Sequence, residues 1–189
     1  MFASLRPALL VFALLTVITG VVYPLAVTGV AQALFPQQAN GSIVTVKGTA
    51  VGSALIGQQF TSPRYFWGRL SATGPYPYNA ASSSGSNFGP LNTALTDAAK
   101  ARIQALKAAD PGNDAPVPID LITASGSGLD PEISLASAYY QAPRVAKLRG
   151  LEVERVRALI DSHASRPWIR VFGEPRVNVL TLNLALDNF

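Results

Sequence analysis

An uncharged, mainly apolar run near the N-terminus, from Pro7 to Val30, constrains this chain more than any other feature. After Arg6 the next charged side chain is Lys47. A helix of this length reaches roughly 36 Å, which is enough to cross a hydrocarbon core of about 30 Å. The run therefore predicts a transmembrane helix at residues 7–30. Within it, Pro24 predicts a kink, and Ala13, Thr16 and Gly20 form a small-residue face on which a second helix can pack.

Two other interpretations of the run stay open. A cleaved secretory signal is one, because Arg6 is a weak basic start and Ala31-Gln32-Ala33 has the form of a cleavage site. Signal sequences, however, have apolar regions of only about 7–15 residues. A buried helix of a soluble core is the other, but the remaining sequence shows nothing large enough to surround it. A retained single-pass anchor is the favoured interpretation.

The charges beside the run predict its orientation. Arg6 and the terminal amine are the only positive groups on the short side, whereas residues 32–46 carry no charge. The positive-inside rule then places the N-terminus in the cytoplasm. We expect a cytoplasmic segment at residues 1–6, the membrane helix at 7–30, a linker at 31–42 and an extracytoplasmic, periplasmic domain at 43–189. The expected location is the inner (plasma) membrane.

The composition limits which chemistry the chain outside the apolar run can perform. The chain has 189 residues, a net charge of +4 and no cysteine. Disulfides, thiolate metal sites and a cysteine nucleophile are therefore excluded. The basic residues are dispersed, without the stripe that is typical of nucleic-acid binders, so no nucleic-acid partner is expected. Roughly 155 residues remain outside the membrane run, which is enough for one domain with its own core.

The first half of that domain is strand-rich and then irregular. Residues 42–57 alternate valine and isoleucine with glycine, which predicts strands. Residues 60–92 form a long irregular segment, yet they carry many aromatic side chains, which disordered linkers lack. We interpret this segment as an ordered loop packed on its own domain or on a partner. Residues 92–109 then predict a helix capped by Asn92.

The second half mixes strands and helices. Residues 117–124 predict a short strand. Asp130, followed by Pro131, predicts a helix start, with an interruption at Pro143 and a further piece to Arg149. Residues 152–163 predict a helix, and Trp168–Phe172 a strand. Residues 177–186 fit either a strand or a short helix capped by Asn178. The predicted fold class is α+β, one N-terminal transmembrane helix followed by a single extracytoplasmic α+β domain.

The motifs of several enzyme classes are absent from the sequence. There is no Gly-Lys-Ser/Thr phosphate loop and no G-x-S-x-G nucleophile elbow. His163 is the only histidine, so neither a histidine-rich metal site nor a second base is available. Asp114, Asp120, Asp130 and Glu132 are the acidic residues that could pair for acid–base work. We expect no catalytic residues and no metal site, while a stand-alone anchored binding module and an anchored hydrolase stay open as alternatives.

A series of short motifs runs through the whole chain in a specific order. The most specific are Thr123–Pro131 and Gly173–Asn178. The others are Gly57–Phe60, Tyr65–Arg69, Tyr78-Asn79, Ser84–Pro90, Gln141–Ala146 and Val179-Leu180. Behind one N-terminal span, this series closely resembles the C-subunit family of the Kdp potassium-transporting ATPase.

The resemblance implies a small single-span accessory subunit, needed for assembly and activity. Its implied partners are a channel-like potassium-binding subunit, a P-type ATPase subunit and membrane lipid. The family is also described as a catalytic chaperone that raises the apparent ATP affinity of the ATPase subunit. This chain has neither the Asp-Lys-Thr-Gly phosphorylation motif nor a Thr-Val-Gly-Tyr-Gly filter. We expect no cofactor bound directly, because the predicted topology places the domain opposite cytoplasmic ATP. Any effect on ATP affinity is then allosteric.

The sequence departs from the family pattern at three positions. Leu70 stands where proline usually follows the Gly-Arg pair, Ser84 replaces a glycine, and Glu132 stands where histidine often follows Asp-Pro. Any role of that histidine in carrying a proton or a ligand is therefore in doubt here.

Six polar residues in or beside these motifs are candidates for contact with partner subunits. They are Arg69, Asn87, Gln141, Arg144, Glu174 and Arg176. We expect Arg144→Ala to weaken association with the channel-like subunit more than it destabilises the domain.

Overall fold

A computed structural model describes residues 4–167 and 173–189 of the chain. The predicted strand at Trp168–Phe172 lies outside these residues. The chain divides into two compact units between Val51 and Gly52. In each unit, the local sequence favours the helices and strands that form there.

The first unit is dominated by one long apolar helix. It comprises α1 (Leu5–Val17), a π-helical turn (Ile18–Val22) and α2 (Tyr23–Leu34), and its composition and length suffice to cross a membrane. The π turn ends at Val22, two residues before Pro24. Because proline has no N–H and its ring meets the carbonyl four residues earlier, a widened turn accommodates it. The packing partner expected on the small-residue face stays a prediction.

A β-hairpin follows the helix. After the short α3 (Pro36–Ala39), strands β1 (Ile43–Val46) and β2 (Thr49–Ser53) form a two-stranded sheet. Lys47 and Gly48 between them have φ values of 50° and 79°. Positive φ at both residues of a two-residue loop is the requirement of a type I′ turn, which matches strand twist. The predicted strands in residues 42–57 are thus confirmed.

The second unit packs helices around a small antiparallel sheet. Its strands β3 (Glu132–Ser134), β4 (Ala164–Ser165) and β5 (Arg176–Asn178) lie in the order β3-β5-β4, with Ile133 opposite Val177. Its helices are α4 (Thr93–Ala109), α5 (Ile119–Ile122), α6 (Leu135–Arg149), α7 (Val153–His163) and α8 (Val179–Asp187). The core includes Phe66, Leu121, Val156, Ile160, Val177 and Leu182. The α+β prediction is therefore confirmed.

Three helices lie where the sequence allows them, and two of these begin at a side-chain cap. Asn92 Oδ1 accepts from Ala94 N at 3.0 Å, and α7 occupies the predicted range with Val156 and Ile160 buried. The ambiguous segment after residue 177 is a helix, because Asn178 Oδ1 accepts from Thr181 N at 3.1 Å. The side-chain cap thus favours a helix over the strand that the alternating leucines also fit.

Three predictions in the middle of the domain were wrong. Residues 117–124 contain the short helix α5 instead of a strand. Asp130 does not cap a helix: its Oδ1 accepts from Glu132 N at 3.0 Å, and β3 follows. The real cap is Ser134, whose Oγ accepts from Ser137 N. Helix α6 also continues through Pro143, since its buried face, including Ala142 and Val145, packs in the core and outweighs the proline penalty.

Candidate partner interface

The irregular segment predicted between residues 60 and 92 is ordered by side chains from two helices. Gln141 on α6 accepts from Trp67 N at 2.8 Å and donates to Trp67 O at 3.1 Å. Asn183 on α8 does the same for Phe66, with distances of 2.9 Å and 3.0 Å. Each amide therefore satisfies both backbone groups of one residue, as a neighbouring β-strand would.

An arginine completes this arrangement. Arg144 donates to the carbonyl oxygens of Pro63 and Tyr65 and to Gln141 Oε1. Its Cζ lies 4.9 Å from the centroid of the Trp67 ring, within range for a cation–π contact. We call Gln141, Arg144 and Asn183, with residues 63–67 that they bind, the loop clamp. Burial lowers the pKa of Arg144 to about 10, so the guanidinium stays charged at neutral pH.

A second arginine contacts the same ring from α4. Arg102 Cζ lies 5.0 Å from the Trp67 centroid, and its guanidinium donates to Gly68 O and Leu121 O. Burial lowers the pKa of Arg102. Near it, the Tyr78 hydroxyl donates to Arg69 O at 2.6 Å, and burial raises the pKa of Tyr78 to about 12. Together with the loop clamp, these contacts hold the backbone of the aromatic segment from residue 63 to residue 69.

A groove of about 660 Å³ lies beside β3. It contains two ion pairs: Arg69 with Asp130 at 3.1 Å, and Arg176 with Glu132. Burial raises the pKa of the Glu132 carboxyl group, and the charge of Arg176 opposes that shift. We call this site the acidic groove; its remaining charged residues are Asp120 and Glu174.

The six candidate residues fall in three places. Arg69, Glu174 and Arg176 line the acidic groove together. Gln141 and Arg144 are only 1% and 2% exposed and belong to the loop clamp. Asn87 is exposed elsewhere, on a backbone of φ 53°.

Contact of these residues with partners stays a prediction, but the polar groups of the two clamp residues already bind inside the domain. For Arg144→Ala the geometry favours a loss of folding over a loss of association.

Sequence reasoning missed two residues that hold the aromatic segment, Asn183 and Arg102. Asn183 is the one amide side chain within the mainly apolar helix α8. That isolated polar residue was the available sequence signal. Arg102 gave no signal, since its partners are carbonyl groups distant in the sequence. Among residues 4–167 and 173–189 there is no cluster of three or more His, Cys, Asp or Glu side chains able to hold a metal.

Comparison with known proteins finds sequence relatives that match nearly the whole chain. A family model described as "KdpC: K+-transporting ATPase, c chain" matches residues 5–188. The chain belongs to the KdpC family. A Potassium-transporting ATPase KdpC subunit from Janthinobacterium sp. (strain Marseille) is 65% identical over 187 residues, covering 99% of both chains. The KdpC subunit of Variovorax paradoxus (strain S110) is 66% identical over 183 residues, covering 97% of this chain and 95% of the relative. The resemblance seen in the motifs is thereby confirmed.

Proposed function

We propose that this chain is the non-catalytic accessory subunit of an ATP-driven, high-affinity potassium uptake complex, needed for its assembly and activity. The observation that carries the proposal is the 30-residue apolar helix Leu5–Leu34, whose apolar window is entirely unburied in the chain. Such a surface requires lipid or other membrane helices around it. Joined to a domain of the KdpC family, it fits a subunit that is held in the membrane beside its partners.

Two further subunits are needed to make this role functional. One helix cannot enclose a pore, and the sequence lacks both the phosphorylation motif and the filter motif of potassium transporters. Ion passage and ATP hydrolysis then belong to other chains, a channel-like potassium-binding subunit and a P-type ATPase. The relatives are named as subunits of a potassium-transporting ATPase, which supports such a division of labour.

The domain lies on the periplasmic side of the inner membrane in this proposal. Arg6 beside the apolar helix supports that orientation through the positive-inside rule. ATP binds to the ATPase subunit in the cytoplasm, so the chaperone effect on ATP affinity passes through the complex as a coupling free energy. If the purified full-length chain were protected from thermal unfolding by micromolar ATP, this part of the proposal would fail.

Mild-detergent purification of the tagged full-length chain tests the proposal directly. We expect a multi-span channel-like protein and a P-type ATPase to co-purify, as identified by mass spectrometry. A matched variant whose residues 4–34 are replaced by an unrelated membrane helix should recover less of both. A clean monomer, under conditions that preserve other membrane complexes, would instead favour a stand-alone binding module.

The absence of cysteine makes the orientation simple to test. Ser4→Cys places a unique thiol before the apolar helix, and Leu91→Cys places one on the domain at a side chain that is 96% exposed. A membrane-impermeant maleimide applied to spheroplasts should label only the Leu91→Cys variant. Labelling of only the Ser4→Cys variant would place the domain in the cytoplasm and overturn the orientation.

A further inference from the structure

The acidic groove runs along a sheet edge that cannot accept another strand. Val179 N donates to Pro131 O and Leu135 N donates to Pro175 O, so residues 131, 133 and 135 face β5. The outward backbone donors of β3 are therefore those of Glu132 and Ser134. Asp130 Oδ1 accepts from Glu132 N at 3.0 Å, and Asp120 Oδ2 accepts from Ser134 N at 2.8 Å. Both donors are therefore occupied within the chain, and a partner in this groove must be recognised through side chains.

The charge of the groove is opposite to that of the whole chain. Its lining has four carboxylates, Asp120, Asp130, Glu132 and Glu174, against the two guanidinium groups of Arg69 and Arg176, whereas the chain has a net charge of +4. Each guanidinium is already paired with one carboxylate. The lining therefore keeps a local excess of negative charge.

Glu174 is the carboxylate best placed to meet a new partner. It is exposed and makes no ion pair within residues 4–167 and 173–189. Asp120, by contrast, is already bound to Ser134 and Ser137. Within the part of the chain that the structure describes, a cation entering the groove therefore meets a Glu174 carboxylate that is in no ion pair.

One wall of the groove is apolar. Ile119 begins α5 with its side chain 69% exposed, next to Pro118, while Pro175 and Leu135 lie among the other lining residues. A hydrated inorganic cation gains nothing from such a wall, whereas an aliphatic side chain covering Ile119 removes apolar surface from water. The volume of about 660 Å³ is within the range of protein binding clefts.

We propose that the acidic groove binds a protein segment that presents a lysine or arginine next to an aliphatic residue. The basic side chain pairs with Glu174, and the aliphatic neighbour packs on Ile119. This inference rests on the proposed function, since the segment belongs to another subunit of the same complex. Charge complementarity then selects the partner segment, and the apolar contact adds affinity.

Site-specific photocrosslinking in the intact membrane complex tests this groove. Benzoylphenylalanine replaces Ile119 in the full-length chain, and a control chain carries it instead of Leu91, which is exposed but does not line the groove. We expect position 119 to give a crosslinked peptide from a co-purifying subunit, with lysine or arginine within about three residues of the linked position. Position 91 should not link to that peptide.

Charge reversal gives the second readout. Glu174→Lys in the position-119 chain should lower the crosslink yield at least fivefold. The matched control Glu154→Lys, which reverses an exposed carboxylate on α7 outside the groove, should leave the yield unchanged. Circular dichroism of both variants is the control for folding, and both should give the wild-type spectrum.

The outcomes separate this inference from the proposed function. If no transport subunit co-purifies with the wild-type chain, the proposed function itself has failed. If the complex co-purifies but position 119 gives no crosslink, links to a second copy of this chain, or links to a peptide without a basic residue, the groove proposal is overturned. An unchanged yield with Glu174→Lys overturns it as well.

Discussion

The loop clamp and the acidic groove use the same residue types for different purposes. In the clamp, Gln141 and Arg144 donate to backbone carbonyls and are almost fully buried. In the groove, the side chain of Arg176 is 51% exposed, and its recorded bond goes to another side chain, Glu132. The clamp therefore uses its polar groups to hold the chain's own backbone, whereas the groove keeps polar groups at the surface.

The difference shows what separates a structural arginine from one available for recognition. Arg144 donates to the backbone carbonyls of Pro63 and Tyr65, so its removal withdraws donors from the chain's own backbone. Removing one side chain of a surface ion pair costs the protein little stability, because water takes the place of the lost partner. Four substitutions and one control test this distinction, and we order them by the size of the expected effect.

Arg144→Ala should have the largest effect. It removes the donors to Pro63 and Tyr65 and leaves their carbonyls, and Gln141 Oε1, with fewer partners inside the domain. Arg144 is 2% exposed, and hydrogen bonds that involve a charged group contribute about 1.5–3 kcal/mol each, so we expect a loss of at least about 3 kcal/mol in the free energy of unfolding. Denaturant unfolding of the purified full-length chain measures it.

Arg157→Ala is the matched control for this substitution. Arg157 makes an exposed ion pair with Glu154 on α7, which should contribute less than about 0.5 kcal/mol. Equal stability of the Arg144→Ala and Arg157→Ala variants would remove the distinction between the two kinds of arginine.

Gln141→Leu and Asn183→Leu should each have an intermediate effect. Each removes two hydrogen bonds to one residue of the segment 66–67, so a loss of about 2 kcal/mol is expected for either variant. Because the two amides bind adjacent residues, the double variant should lose less than the sum of the single losses. Strict additivity in a double-mutant cycle would show that the clamp does not act as one unit.

Glu132→Gln should have the smallest effect, and that effect should depend on pH. Since burial raises the folded-state pKa of Glu132 above its usual 4.5, the neutral carboxyl group is favoured in the folded domain. The stability that this raised pKa contributes is fully present below about pH 4.5 and is lost as the pH rises through the folded-state pKa. The stability difference between the wild type and Glu132→Gln should therefore change above pH 4.5.

Thermal unfolding between pH 4 and pH 7 measures this difference. The expected change is about 1–2 °C, since the carboxylate is partly exposed and its ion pair with Arg176 opposes the shift. A difference that stays constant over the whole range would mean that Glu132 does not titrate differently in the folded domain.

Much of the fold could be predicted because local chemistry determines it. The apolar helix, the helices capped by Asn92 and Asn178, and the amphipathic α7 all depend on residues close together in the sequence. The prediction was wrong at Asp130, where the same residue type satisfies a turn before a strand. The competing partner, β5, lies more than 40 residues further along, and its pairing with β3 outweighed a helix-start signal.

The candidate site could be predicted only in part for a related reason. Polarity near aromatic loops singled out Asn87, Gln141 and Arg144 alike, because a sequence does not show which side chains a fold buries. Burial separated them, since Gln141 and Arg144 sit on the inner face of α6. The acidic groove likewise joins residues from three distant segments, and no local pattern contains that arrangement.

The most direct test of this account measures folding and association in the same samples. Full-length wild type, Arg144→Ala and Glu174→Lys would be expressed with the transport complex, and the folded amount and the co-purifying P-type ATPase would be quantified for each. We expect Arg144→Ala to lower the folded amount while each folded molecule still binds, and Glu174→Lys to lower binding at an unchanged folded amount. The reverse pattern would contradict the account, because it would make the clamp the recognition surface and the groove a structural element.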